Sequence, residues 1–140
     1  MNQSDILYPV FLLLVLTFGM MFTMLYLRIM AVKKGLLRPW YFKLNRGGEE
    51  PPRLAAVTQN FDNLLALPIL FYTAVVLLIA LKMVTPTFIY LAWTYVVLRY
   101  IHSFIHTTYN HVLHRLFVFA TSVAVLIAIW IRIALQAGSA

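Results

Sequence analysis

Trp93-Thr94-Tyr95-Val96-Val97-Leu98-Arg99-Tyr100-Ile101-His102-Ser103-Phe104-Ile105-His106-Thr107-Thr108-Tyr109-Asn110-His111-Val112-Leu113-His114-Arg115 decides how this chain is read. The stretch carries all four histidines and two arginines, yet it begins inside one apolar segment and leads into another. As a helix it sets Tyr95, Arg99, His102, His106 and Tyr109 at spacings of three and four, so they share one face. Ionisable groups on a stripe at membrane depth are costly, and such residues face a bundle interior or a polar cavity. The stripe is therefore expected to be the wall of a site, provided its surroundings cross a membrane.

Composition meets that condition. Of 140 residues, 63% are hydrophobic and only 11% charged. A soluble domain averages about 45–50% apolar and about 25% charged. Mean hydropathy is +0.87. The expectation is an integral membrane protein with a single domain over residues 1–140. A secretory signal is not expected, because the first apolar run lacks a basic n-region and an Ala-x-Ala-like cleavage site. With no cysteine there are no disulfides, thiolate ligands or cysteine nucleophiles. The net charge of +7 would suit nucleic acid, but most basic residues flank apolar segments. There they read as topology signals and headgroup contacts, so the expected partner is membrane lipid and not nucleic acid.

Ile6 to Leu27 holds no charged residue, and about 20 helical residues cross a hydrocarbon core of roughly 30 Å. The first span is expected over about 6–30, closed by Arg28, with Pro9 near its start. The second is expected over about 52–82, kinked at Pro68. Thr85-Pro86-Thr87 reads as a turn, the third span as about 87–108, and the fourth as about 113–135 after a short turn at Asn110-His111. Residues 31–51 form the long polar connection, with Trp40, Tyr41 and Phe42 as an interfacial aromatic anchor. Lys33, Lys34, Arg38, Lys43, Arg46 and Arg53 are six of the chain's eleven basic residues. The positive-inside rule puts this connection in the cytoplasm and both termini outside. The fold class is all-α, an up-down-up-down four-helix membrane bundle.

Asp62 is the one acid at a membrane-helix entrance, within Thr58-Gln59-Asn60-Phe61-Asp62-Asn63. It reads as a solvated helix start or as a binding wall with Asp62 and Asn63 turned inward. Arg99 follows the apolar run Phe88 to Leu98. Either it snorkels to the interface, or it is a buried guanidinium paired with Asp62 or with a ligand carboxylate. Arg115 opens the fourth span, as a topology anchor or, with His111 and His114 beside it, as a cationic cluster for an anionic ligand. His102 and His106 have the i, i+4 spacing of a zinc or non-haem iron pair. Against a metal, no carboxylate is near in sequence and no second histidine pair lies on another span.

Two segments carry a resemblance. Gln59-Asn60-Phe61-Asp62-Asn63-Leu64-Leu65-Ala66-Leu67-Pro68-Ile69-Leu70-Phe71-Tyr72 looks like an Asn-x-x-Glu-Asn element followed by Pro and an aromatic. Arg99, His102, His106 and Arg115 stand at relative positions 0, 3, 7 and 16. Together they resemble the MAPEG family, the membrane-associated proteins in eicosanoid and glutathione metabolism, where Arg, His, Tyr and Arg take that spacing. The nearest likeness is to a bacterial branch, which implies a bacterial inner membrane. The resemblance covers nearly the whole chain and implies a homotrimer that binds glutathione as co-substrate between adjacent subunits near the cytoplasmic side. By position, Asp62 stands at the family's Glu and would hold the ligand's amino group, with Gln59 at the preceding Asn. Asn63, Arg99, His102 and His106 would line the pocket. Arg53 is what remains of the basic pair usual at the second-helix start. Arg115 stands where the catalytic Arg stabilises the glutathione thiolate, since a nearby guanidinium favours the charged form of a thiol.

The expected function is that of a glutathione-dependent transferase or peroxidase-like enzyme acting on a hydrophobic electrophile from the bilayer. Two alternatives stand beside it. One is a non-catalytic lipid-binding or accessory subunit of a larger membrane complex, suggested by His106 in place of Tyr and Phe119 where a pocket Tyr is common. The other is a histidine-liganded metal or haem protein.

Overall fold

A computed structural model describes residues 3–45 and 47–138, so Arg46 of the basic connection lies outside the described residues. Among the described residues every regular element is a helix, and there are no strands. A 3₁₀ turn, Gln3–Ile6, leads into α1 (Leu7–Lys33). A single helical turn, α2 (Tyr41–Leu44), interrupts the connection. Then come α3 (Pro52–Ala66), α4 (Pro68–Ala80), α5 (Pro86–Thr107) and α6 (Val112–Ala137). Four stretches are long and apolar enough to cross a membrane: Gln3–Lys33, Pro52–Ala80, Pro86–Thr107 and Val112–Ala137.

The boundaries follow local chemistry. Pro52 and Pro86 sit at the first turns of α3 and α5, where their missing N–H leaves no gap and their fixed φ suits the helix. Arg28 does not close α1, because a charged side chain leaves the backbone ladder intact. The helix runs on to Lys33, and Gly35 turns the chain at φ +69°, a conformation that costs glycine least. Pro68 has no N–H for the Leu64 carbonyl, so the second span breaks into α3 and α4. Leu67 between them keeps helical angles (φ −62°, ψ −36°), and the two pieces continue as one span.

Helix α5 is the hub. It packs on α6, α1 and α3, and it is the most buried of the four spans. Its apolar half carries the main core: Phe88, Ala92, Tyr95 and Val96 meet Leu13 and Leu16 of α1, Phe71 and Leu78 of α4, and Leu126 and Ile129 of α6. Phe71 stacks on Tyr95 at 4.8 Å between centroids, an arrangement worth about 0.5–1.5 kcal/mol beyond the area it buries. Phe11, Val15, Phe22, Ile69, Val76 and Ile127 point outward, where a hydrocarbon solvent leaves them nothing to hide from. A second cluster joins Met24 and Ala31 of α1, Leu54 and Val57 of α3, and Leu37 and Tyr41 of the connection. It holds the connection against the span ends, next to the entrance of α3.

Candidate functional site

Polar side chains bring the loop-side ends of α3, α5 and α6 together. Ser103 Oγ of α5 donates to Asn60 Oδ1 of α3 at 3.1 Å, and both residues are fully buried. Four residues earlier on α5, Arg99 is buried as completely. It donates from one Nη to the Asn63 carbonyl at 3.1 Å and lies 5.6 Å from the Phe119 ring of α6. A buried polar group must find a partner or lose about 1–3 kcal/mol, so the Ser103–Asn60 bond favours one register of α3 on α5.

Above this floor opens a cleft of about 460 Å³. One wall is Gln59, Asp62 and Asn63 of α3; another is His102 and His106 of α5. The third comes from α6: Val112, Arg115, Leu116 and Phe119.

Arg115 is held by its own neighbours. Its Nη1 donates to Asn110 Oδ1 at 2.9 Å and lies 3.1 Å from His106 Nε2. A guanidinium only donates, so His106 Nε2 accepts and its proton sits on Nδ1. His102 Nδ1 lies 3.2 Å from the Arg115 carbonyl, which only accepts, so His102 is the donor there. Among the described residues, Nε and Nη2 of Arg115 make no hydrogen bond, and the cleft that Arg115 lines carries Asp62 on another wall. The site thus presents an acid and a guanidinium on different walls, with two imidazoles on a third.

Six expected residues line this cleft: Gln59, Asp62, Asn63, His102, His106 and Arg115. Arg99 lies beneath it, with Nε and Nη1 buried and without a hydrogen-bond partner. The Asp62–Arg99 pair, one of the two expectations for Arg99, is not formed; the Asn63 carbonyl takes the guanidinium instead. Arg53 is exposed near the start of α3 and does not line the cleft. Tyr109 leaves the stripe because α5 stops at Thr107, and its hydroxyl meets His114 Nδ1 at 3.2 Å on the surface. The cationic cluster at the start of α6 divides: His114 turns away from Arg115 into an apolar groove of about 800 Å³ lined also by Tyr109, Leu113 and Phe117.

A histidine-held metal has poor geometry. His102 and His106 meet edge to face at 5.6 Å, and His106 Nε2 is already the acceptor for Arg115. Among the described residues no three His, Cys, Asp or Glu side chains converge.

Sequence reasoning passes over Asn60, Ser103 and Asn110. Ser103 has a signal, since it lies four residues after Arg99 on the same buried face. Asn110 has half of one. It reads as a turn residue, and it adopts the left-handed φ of 47° that asparagine tolerates, but its bond to Arg115 is tertiary.

Residues 6–135, nearly the whole chain, match the model of one protein family, described as the MAPEG family. No curated protein and no solved structure matches the chain.

Proposed function

The chain belongs to the MAPEG family, and from that premise we propose that it is a glutathione-dependent membrane enzyme, a transferase or peroxidase-like catalyst acting on a hydrophobic electrophile. The observation that carries this reading is the open, two-signed cleft: Asp62, which pairs with none of the described residues, shares it with Nε and Nη2 of Arg115, which make no hydrogen bond among those residues. A small zwitterionic peptide thiol complements such a pair. Asp62 takes the ammonium, with Gln59 and Asn63 offering amide groups beside it. Arg115 faces the sulfur and favours its thiolate, which is the nucleophilic form. Arg99, with two unsatisfied donors under the floor, deepens the positive field for a ligand carboxylate.

The thiolate then attacks the electrophilic carbon of the second substrate, forming a C–S bond as the leaving group departs. Leu116 borders both the polar cleft and the apolar groove on the far side of α6. That shared wall suits an electrophile arriving from the bilayer. The cleft is only partly enclosed by this chain, which suits the homotrimer expected of this family, with a neighbouring subunit closing it.

Calorimetry on the detergent-solubilised protein tests this. Glutathione is expected to bind, with affinity lost in Arg115→Ala and in Asp62→Ala, and light scattering is expected to give the mass of a trimer. No binding heat at millimolar glutathione overturns the reading. A spectroscopic assay with aromatic electrophiles then separates an enzyme from a non-catalytic binding subunit.

A further inference from the structure

The connection between α1 and α3 does not stray from the bundle. Gly35 reverses the chain, and the Ala31 carbonyl takes the N–H groups of Leu36 at 2.9 Å and Leu37 at 3.3 Å. Leu37 and Tyr41 are then buried among Met24, Ala31, Leu54 and Val57. Residues 36–44 are therefore held beside the loop-side ends of α1 and α3, where spans of this length would meet the lipid headgroups.

Held there, the segment shows an outward face that water alone would not favour. Leu36 is 59% exposed, Trp40 75% and Leu44 72%. Their spacing of four residues alternates with the buried Leu37 and Tyr41, so one side of the segment serves the core and the other projects three large apolar groups. Lys34, Arg38 and Lys43 are interleaved with them and exposed, and Lys43 Nζ lies 5.8 Å from the Trp40 ring. Beside the segment, Arg28 rests 5.3 Å over Phe42 at the rim of an apolar groove of about 370 Å³.

From this geometry we infer that residues 36–44 form a monotopic insertion that docks on an anionic phospholipid leaflet. The three apolar side chains enter the acyl boundary, as amphipathic surface segments do. The cations sit among phosphates, where each adds an attraction that a zwitterionic leaflet lacks. The complementarity is one-sided, because the acids of the connection, Glu49 and Glu50, come only after this segment ends. A protein surface as occupant would need acids facing these cations, and a second copy of this face presents the same positive charge.

The inference is independent of glutathione and is read by Trp40 itself. Trp93→Phe with Trp130→Phe leaves Trp40 as the chain's sole tryptophan. The full-length variant is reconstituted into vesicles of acyl-brominated phosphatidylcholine, with or without acyl-brominated phosphatidylglycerol. Circular dichroism checks that the helices remain. Trp40 emission is expected to be quenched by the brominated chains, and at least about twofold more strongly when the anionic lipid is present. Adding Lys34→Gln, Arg38→Gln and Lys43→Gln is expected to abolish that difference. Quenching by aqueous acrylamide but by neither lipid overturns the insertion. Equal quenching in the two vesicle types overturns the headgroup preference, and with it the proposal.

Discussion

Among the described residues, the Arg115 side chain makes both of its hydrogen bonds through Nη1, which leaves Nε and Nη2 to the cleft. His106 therefore aims the guanidinium without neutralising it, a task that needs an acceptor at that place. A hydrogen bond to a charged group is worth about 1.5–3 kcal/mol, and about 1.4 kcal/mol is a tenfold change in affinity. His106→Leu is expected to weaken glutathione binding by about tenfold, and His106→Gln, which supplies an amide oxygen, by distinctly less; calorimetry of the two variants checks this. Arg99 poses the opposite balance. It gains one hydrogen bond and a contact with the Phe119 ring, together about 2–5 kcal/mol. Its two unpartnered buried donors cost about 1–3 kcal/mol each. The terms nearly cancel, so an apolar residue of similar length loses little. Arg99→Met is expected to melt within a few degrees of the parent in detergent, whereas Arg99→Ala, which leaves a cavity, melts well below it. A large loss in Arg99→Met would show that the guanidinium is structural after all.

At the scale of elements, the α5–α6 turn carries the site as much as the helices do. Asn110 closes that turn with its N–H on the Ile105 carbonyl at 2.8 Å, at a positive φ, and its side chain accepts from Arg115. Two substitutions separate these roles. Asn110→Gly keeps the backbone and removes the acceptor; Asn110→Ala removes the acceptor and adds about 1–2 kcal/mol of left-handed strain. Thermal melts are expected to rank parent and Asn110→Gly close together with Asn110→Ala below. Glutathione affinity is expected to fall alike in both, because only the acceptor matters to it. The stripe of Arg99, His102 and His106 is legible in the sequence, because a helical period is a local property of the chain. The ties Asn60–Ser103 and Arg115–Asn110 are not. One joins residues on different helices and the other depends on how a turn folds, so neither leaves a periodic trace. Tyr109 shows the same limit from the other side: it keeps the helical spacing in sequence but lies past the last helical turn.

For the whole molecule, the distribution of charge sets the orientation that we propose, with residues 31–51 in the cytoplasm and the termini outside. The chain has no cysteine of its own, so single introduced thiols report cleanly. In intact cells that express the chain, Ser4→Cys is expected to react with a membrane-impermeant maleimide, and Glu49→Cys only after permeabilisation. The reverse pattern would turn the molecule over and move the cleft to the outer face. Exposed apolar side chains surround the bundle, while the polar residues gather at the loop-side ends of α3, α5 and α6.

Sequence alone was enough to establish a four-span helical membrane protein, because the length of an apolar run and the thickness of a bilayer are matched locally, one segment at a time. It also singled out most of the residues that line the cleft. Tertiary structure decided which arginine is buried and which is open, that Asp62 and Arg99 do not pair, and that His114 turns away from Arg115. Those outcomes depend on how three helices rotate against one another. That rotation is set by packing and by a few buried hydrogen bonds, and no single segment contains it.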